Sequence, residues 1–165
     1  MTKNGVFRGV TSVQRQLVNY WCALRGADGV VRRDSLDPGH FRSMLASISV
    51  VEVCEDGRGR FRIAGSRLRD LLGFEARGRF IEDVAGEHAE AYSLGLSAAI
   101  DRQLPVGGVI DLGGRLHAWL RLPLAGPDGR ISQVLCHDEL ISNRRMLLGP
   151  AAATPVPAKS GRAAA

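Results

Sequence analysis

The sequence contains no apolar segment approaching the roughly 20 residues that a membrane-spanning helix requires, and its N-terminus lacks the apolar core of a secretory signal. Cysteine is scarce: Cys22, Cys54 and Cys136 are far apart and form no C-x-x-C pair. An odd number of dispersed cysteines argues against both a disulfide framework and a zinc site. We therefore expect a cytoplasmic protein with reduced cysteines.

Aromatic residues are also scarce, at 5% of the 165 residues, and they are not gathered with the basic residues into one strip. The formal net charge is +5, but Lys159 and Arg162 near the C-terminus account for two of the positive charges. A positive balance alone is weak evidence for nucleic-acid binding. We expect the scattered arginines to solubilise the surface, and we do not expect nucleic acid as a partner.

The motifs of common catalytic sites are missing as well. No paired carboxylates, phosphate-binding loop or dinucleotide-binding glycine motif occurs, and the segment around Ser66 is not the G-x-S-x-G of a hydrolase. The run Cys136–Glu139 carries metal-binding atoms, but consecutive strand residues point to opposite faces, so at most two of its side chains could converge. We therefore expect no enzyme activity and no metal site.

The first strong pattern in the chain is helical. Apolar residues recur every three to four positions over Thr11–Gly26, which begins with a capping box and ends at a glycine suited to close a helix. A second helix is predicted to begin at Asp37-Pro38, with the aspartate as N-cap. We assign residues 11–47 to an N-terminal helical extension and residues 1–10 to a flexible lead-in.

The apolar stripe of the first helix carries the large side chains of Tyr20 and Trp21 and must be covered by another surface. That surface belongs either to the same domain or to a second copy of the chain. We expect homodimerisation through this stripe, with a contribution from the outer face of the predicted sheet. The dimer-interface candidates are Val13, Leu17, Tyr20, Trp21, Leu24 and Trp119.

After the extension, alternating and β-branched residues predict five strands. Between the second and third strands we expect a short helix over Ser66–Gly73, with Ser66 as N-cap, and one longer helix over Glu82–Gln103. Trp119 and Leu120 point to opposite faces of the fourth strand, so both faces need a cover, and the first helix is the candidate for the Trp119 face. The predicted strands are Ile48–Cys54, Arg60–Ala64, Val106–Leu112, Leu116–Leu124 and Ile131–His137.

Several short motifs follow one another over roughly residues 17–137. They are Tyr20-Trp21, Leu24-Arg25-Gly26, Arg33-Asp34, Leu36-Asp37-Pro38, Val51-Glu52-Val53, Phe61-Arg62, Ala64-Gly65-Ser66, Gly73, Gly78-Arg79 and Leu122-Pro123-Leu124. In this order they resemble the PAS_5 family of bacterial single-domain PAS proteins. The resemblance implies an α+β PAS fold: a five-stranded antiparallel sheet with helices on one face, preceded by an N-terminal helical cap. The PAS core would occupy residues 48–140.

Two further segments follow this core. Residues 141–148 are expected to form a short closing element. From residue 149 to residue 165 the chain is rich in proline and alanine and has no core-forming pattern, so we expect a disordered tail.

The resemblance also raises the question of a cofactor. Light-sensing PAS domains carry a flavin-reactive cysteine on their short helices, but Ser66–Gly78 contains no cysteine, so a covalent flavin adduct is not expected. Non-covalent flavin stays open, with no residue in its favour. Haem-sensing PAS domains place a histidine on the long helix, where this chain has His88. A single histidine near a helix start is more often an edge residue of the core than an iron ligand. No cofactor is predicted, and haem bound through His88 is the alternative.

A small-molecule pocket between the sheet and the helices is the sharpest site hypothesis, with His88 or Tyr92 orienting the ligand. A filled core is favoured over it, because few polar residues are available at inward positions. The pocket candidates are Ile63, Leu68, Leu72, Phe80, His88, Tyr92, Leu96, Leu120 and Leu122.

These observations predict a non-catalytic PAS module for sensing or protein interaction in bacterial signal transduction. We expect it to be a homodimer and to signal through a partner protein whose identity the sequence does not give. The alternative is a PAS sensor that binds a small molecule or haem. A nucleic-acid-binding regulator is the least favoured hypothesis, and no membrane association is expected.

Overall fold

The computed structural model describes residues 5–142 and 156–157 of the chain. The α-helices in this part are α1 (Ser12–Ala23), α2 (Leu68–Leu72), α3 (Ile81–Val84) and α4 (Ala89–Arg102). The strands are β1 (Ile48–Val53), β2 (Gly59–Ala64), β3 (Val106–Asp111), β4 (Leu116–Ala125), β5 (Ile131–Ile141) and β6 (Val156–Pro157). Segments of 3₁₀-helix cover Arg33–Ser35, Pro38–Ser47 and Gly86–His88.

All these strands belong to one sheet, in the order β2-β1-β5-β4-β3-β6. The first five are antiparallel to their neighbours, and the two-residue β6 pairs parallel to β3. The central pair of β4 and β5 is the longest, with register partners from Leu116 with Ile141 to Ala125 with Ile131. The expected α+β fold with a five-stranded antiparallel sheet is therefore confirmed.

One face of the sheet is covered by α2, α3 and α4. Alternate strand residues point toward these helices, so Val51, Phe61 and Val134 lie in the same core cluster as the helical side chains. Phe61 also meets the ring of Tyr92 edge-on, with 5.5 Å between the ring centroids. The helical members of this cluster are Leu68, Leu72, Ile81, Val84, Tyr92, Leu96 and Ala99.

The opposite face is covered by α1. Leu17, Val18 and Trp21 pack in one cluster with residues of β1, β4 and β5, and the indole Nε1 of Trp21 donates a hydrogen bond of 2.9 Å to the carbonyl oxygen of Pro123. The prediction that α1 covers the Trp119 face is wrong. The strand residues that α1 covers are Ile48, Leu120, Leu122, Leu124 and Leu135.

Trp119 is instead held between α4 and β3. A Cβ atom at Gly95 of α4 would lie 2.9 Å from Trp119 Cζ3, and one at Gly108 of β3 would lie 3.2 Å from Trp119 Nε1. Contacts this close leave no room for a larger side chain without displacement. The glycine inside α4, which costs helix propensity, therefore allows the indole ring to approach the helix backbone.

The helical segment between β2 and β3 differs from its prediction in two places. The helix expected over Glu82–Gln103 is divided, because Gly86 has φ +52° and a 3₁₀ turn separates α3 from α4. The first short helix begins at Leu68, with Arg67 rather than Ser66 in the N-cap position. It ends as expected, at Gly73 with φ +79°.

The N-terminal extension shows similar differences in detail. The side chain of Thr11 accepts a hydrogen bond from the Gln14 amide, as expected for the N-cap, but α1 ends at Ala23, before the predicted Gly26. The segment after Asp37 is 3₁₀ rather than α-helical. In the part of the lead-in that the structure describes, residues 5–10, Val10 is fully buried and Val6 and Phe7 pack against the core, whereas Gly5 and Arg8 are exposed.

The predicted closing element over 141–148 and the predicted tail over 149–165 lie largely outside the described residues. Within the described part, Ile141 is the last residue of β5. Val156 and Pro157 form β6, opposite Ile110 and Asp111 of β3.

The packing of α1 leads to a prediction about Trp21. The Trp21→Ala substitution is expected to lower the free energy of unfolding by about 3–5 kcal/mol, because it empties a core position and removes the hydrogen bond to Pro123. Urea unfolding followed by circular dichroism measures the change. The control is Leu45→Ala, since Leu45 is 43% exposed and the loss of its side chain should have little effect. Equal effects of the two substitutions would contradict the packing of α1.

Candidate functional site: a buried charge network

The interior between the sheet and α4 contains a cluster of polar side chains. His117 and Arg121 are four residues apart on β4, so they share a face, and both point toward α4. Asp138 of β5 is the register partner of Trp119, halfway between them. The side chain of Tyr92 reaches the same point from α4, which covers this face of the sheet. Each of these four side chains is buried.

Asp138 is the centre of the network. Its Oδ1 accepts hydrogen bonds from His117 Nε2 at 2.7 Å and from Arg121 Nη2 at 3.0 Å. Its Oδ2 accepts from Arg121 Nη1 at 3.1 Å and from the Tyr92 hydroxyl at 3.0 Å. The Arg121 guanidinium also lies 4.0 Å from the centroid of the Tyr92 ring. Both carboxylate oxygens are therefore fully used by neighbouring donors.

The opposite charges of Arg121 and Asp138 stabilise each other in this buried position. Burial opposes ionisation of Asp138, but the charge of Arg121 and the hydrogen bonds from His117 and Arg121 outweigh it and hold the pKa of Asp138 well below its usual range. Burial likewise opposes the charge on Arg121, and the charge of Asp138 keeps the pKa of Arg121 above its usual range. The pair is therefore ionised inside the protein.

The neighbouring groups are held neutral. Burial and then the charge of Asp138 raise the pKa of the Tyr92 hydroxyl well above its usual value. Burial raises the pKa of the Cys136 thiol to about 11. Cys136 is therefore a thiol, not a reactive thiolate, at neutral pH.

A small cavity of about 10 Å³ lies beside this network. Among the described residues, His117 Nδ1 and Arg121 Nε are buried and have no hydrogen-bond partner, and both residues line the cavity. A space of this size holds about one water molecule. It has no room for a haem, a flavin or a drug-sized ligand. The other residues that line it are His88, Tyr92, Ile110 and Trp119.

The predicted pocket residues do not form one pocket. Leu68, Leu72, Tyr92 and Leu96 do lie together, but they fill the core on the α4 side, and His88 lies half-buried just before α4. Phe80 is also half-buried, with the guanidinium of Arg58 3.9 Å from its ring centroid. The others are on the opposite face: Ile63 is 47% exposed, and Leu120 and Leu122 pack against α1.

The prediction missed three central residues, His117, Arg121 and Asp138. A signal for two of them was present, because His117 and Arg121 alternate with leucines on a strand that must be covered on both faces. A cationic side chain on such a strand needs a buried anion. The position of Asp138 opposite Trp119 depends on the register of β4 and β5, which the sequence does not specify.

The large apolar residues of the predicted dimer stripe pack mostly against the chain's own sheet. Leu17 and Trp21 are buried against the chain's own sheet, so they are not available to a second copy, and this part of the prediction is wrong. Tyr20 is half-buried, stacks on His40 with 4.6 Å between ring centroids, and accepts a hydrogen bond from the Asp37 amide. The remaining candidates, Val13, Leu24 and Trp119, are half-buried.

On the α1 side of the sheet, His137 forms a second buried polar contact. Its Nδ1 lies 3.5 Å from Nε2 of Gln14, whose side-chain oxygen accepts a hydrogen bond from the Val10 amide. Burial lowers the pKa of His137 to about 4, so the ring is neutral at pH 7. His137 thus faces away from Cys136 and Asp138, and the described residues contain no group of three side chains placed to hold a metal ion.

A comparison with known protein families gives the family of this chain. A sequence model of the PAS_5 family, described as a PAS domain, matches residues 10–116. The chain is similar to a sensory box sensor histidine kinase from Vibrio cholerae, with 14% identity and TM-score 0.47, over 62% of this chain and 85% of that one. None of the helices in the described residues is long and apolar enough to cross a membrane.

Two other solved structures are similar at the same level. A PAS domain from Colwellia psychrerythraea shows 14% identity and TM-score 0.42, over 64% of this chain and 98% of that one. VqmA of Vibrio cholera, in a complex with ligand and DNA, shows 14% identity and TM-score 0.47, over 65% of this chain and 52% of that one. No curated protein matches the chain.

The buried pair leads to a prediction about stability. Asp138→Leu or Arg121→Met alone is expected to lower the free energy of unfolding by about 3–5 kcal/mol, because each leaves one buried charge unpaired. The double variant is expected to lose less than the sum of the two, since neither charge remains. Urea unfolding measures all three. Arg32→Met is the control: it breaks an exposed ion pair with Asp28, so it should have little effect on stability. Additive losses would contradict the role of the pair.

His137 leads to a second prediction, about pH. Its pKa of about 4 in the folded protein lies below the usual 6.5, so the unfolded chain binds the proton more readily. Stability that is present above pH 6.5 is therefore lost as the pH falls from 6.5 to 4, by about 3 kcal/mol in total. Unfolding free energies measured between pH 7 and pH 4.5 should show this decline, and His137→Gln should reduce it.

The same pH series distinguishes the contribution of His137 from those of two neighbouring carboxylates, Glu139 and Asp138. Burial raises the pKa of Glu139, which has the opposite effect on the pH dependence, so Glu139→Gln is the matched control and should not reduce the decline. The pKa of Asp138 is lowered, so the stability it contributes is lost only below about pH 4. A His137→Gln variant with an unchanged slope would show that another group is responsible.

Proposed function

This chain belongs to the PAS_5 family of PAS domains, and from that we propose that it is a sensory module without catalytic activity that signals through a partner protein. PAS domains are in general sensory modules rather than enzymes. One observation carries the choice between a surface-mediated and a ligand-mediated mechanism. It is the filled interior between the sheet and α4.

The space in which a PAS domain of this architecture would enclose a ligand is occupied by side chains. The cavity that remains measures about 10 Å³, against the roughly 300–1,000 Å³ of an ordinary small-molecule site. The centre of the space between the sheet and α4 is filled by Tyr92, Trp119 and Arg121, which are fixed by hydrogen bonds and ring contacts. This filling supports a signal transmitted by the protein surface.

The buried network also supports the absence of catalysis. His117 and Asp138 are joined at 2.7 Å, as the base and its orienting acid are in a catalytic triad. In the described residues, however, no nucleophile contacts the free nitrogen of His117, and the pair is sealed from solvent. Cys136 is buried and protonated. We interpret the pair as structural.

A small-molecule sensor is the second candidate. The unpaired nitrogens of His117 and Arg121 point to the same small cavity, and separation of α4 from the sheet would enlarge it into a polar pocket. Haem bound through His88 receives no support from this geometry, because the cavity is far smaller than a porphyrin. Nucleic acid is not part of the proposal.

We retain the homodimer in the proposal, with a different surface. Since Leu17 and Trp21 are buried within the chain, a second copy would have to use exposed apolar residues. Leu94, on the outer side of α4, is the most exposed of the large apolar residues that the structure describes. The proposed dimer is therefore built on α4 rather than on α1.

Native mass spectrometry of the freshly purified full chain, together with its visible absorption spectrum, tests the proposal. We expect the mass of two polypeptides with no additional molecule, and no visible band. Leu94→Glu should yield monomer, whereas Leu45→Glu, at a less exposed leucine on a 3₁₀ segment, should not. A Soret or flavin band, or a bound small molecule, would replace the proposal by the sensor. A monomeric mass at high micromolar protein concentration would contradict the proposed homodimer.

A further inference from the structure

A surface cleft of about 680 Å³ lies at the β2 edge of the sheet. Val50 and Gln133 in its wall alternate with Val51 and Val134 of the α4-side core, so they lie on the opposite face of the sheet, beside the 3₁₀ turn at Arg33–Ser35. We call it the arginine cleft, after the four arginines that line it: Arg33, Arg60, Arg62 and Arg77.

The arginine cleft has an excess of positive charge. Glu52 neutralises part of it, with a carboxylate oxygen 2.9 Å from Arg60 and 3.8 Å from Arg62, and Asp34 lies in the wall. In the part of the chain that the structure describes, no hydrogen bond or ion pair involves the side chain of Arg33 or Arg77. Two guanidinium groups are therefore available to carboxylates of a ligand.

The arginine cleft also has an apolar component. Ile63 of β2 is 47% exposed, and Val50 of β1 is its register partner. An exposed β-branched residue between arginines favours a ligand that presents an apolar side chain together with negative charge.

These features distinguish a peptide from a nucleic acid. Single-stranded nucleic acids bind by stacking their bases on exposed aromatic rings. The aromatic residue in the arginine cleft, Phe61, is fully buried and offers no stacking surface. An acidic peptide can place carboxylates on Arg33 and Arg77 and an apolar side chain on Ile63, whereas a phosphate backbone supplies no apolar side chain.

We propose that the arginine cleft binds an acidic, extended segment of a partner protein. Carboxylates of that segment pair with Arg33 and Arg77, and one of its apolar side chains lies on Ile63. The inference rests on the proposed function, since it gives the module's partner a chemical class and a docking surface. It would make the β2 edge, rather than the interior, the output surface of the domain.

The test uses the full chain labelled with ¹⁵N and a probe peptide of about eight residues in which Glu and Leu alternate. Chemical shift changes are expected in the arginine cleft. Arg33→Ala/Arg77→Ala should weaken binding by about tenfold or more, as expected for the loss of charge-assisted contacts. The matched control Arg15→Ala/Arg115→Ala removes two exposed arginines outside the cleft and should change the affinity by less than about twofold.

The apolar contact has its own test. Ile63→Ser should weaken the binding of the Glu/Leu peptide and leave unchanged the weaker binding of a peptide in which Glu and Ser alternate. Equal affinities of the two arginine variants would overturn the proposal, as would shifts outside the cleft or no binding at millimolar peptide. Binding of a single-stranded oligonucleotide that depends on Arg33 and Arg77 but not on Ile63 would replace it by a nucleic-acid surface. Cleft shifts that appear on concentrating the protein alone would replace it by self-association.

A separate experiment distinguishes failure of this inference from failure of the proposed function. A photo-crosslinking residue is placed in the native cell at position 63 in one variant and at position 94 in another. A protein other than a second copy of the chain that is crosslinked only from position 94 would leave the signalling function standing and overturn the cleft as its docking surface. No protein crosslinked from either position would count against both. A partner crosslinked from position 63 supports the inference only if Arg33→Ala/Arg77→Ala abolishes the crosslink.

Discussion

The ion pair between Arg121 and Asp138 is the constraint on which the interior of this protein depends. β4 runs through the middle of a sheet that is covered on both faces, so neither side of it can carry an unpaired charge. Asp138 on the neighbouring strand accepts both arms of the Arg121 guanidinium, together with His117 and Tyr92. A change at any of these positions leaves a polar group buried without its partner.

The same network closes the interior. Trp119 lies between His117 and Arg121 on β4, and the absence of side chains at Gly95 and Gly108 leaves room for its indole ring. With the indole ring against α4 and Arg121 over the ring of Tyr92, the sheet and the helix approach so closely that only a water-sized space remains. The inside of the domain therefore serves stability, and the surface is left as the place for recognition.

The cover provided by α1 decides where that surface is. α1 occupies the face of β4 and β5 that carries Leu120, Leu122 and Leu135, and its Trp21 is fixed to the backbone of Pro123. The cover does not extend to the β2 edge, where Ile63 stays half exposed among arginines. Because α1 covers the centre of this face of the sheet, the β2 edge is the part of the face that stays accessible.

The sequence by itself determined the five strands of the antiparallel sheet and the first helix, because periodicity and turn residues are local properties of the chain, and its ordered short motifs carried the resemblance to the family. It also contained the alternation in β4 that separates Leu120 from Arg121. Only the tertiary structure decided which helix covers which face, and this is why the predicted pocket divided into residues on both sides of the sheet and the predicted dimer stripe became core. Alternation shows that residues share a face, but the identity of the cover, and the partner of a buried charge such as Arg121, depend on strand register and long-range packing.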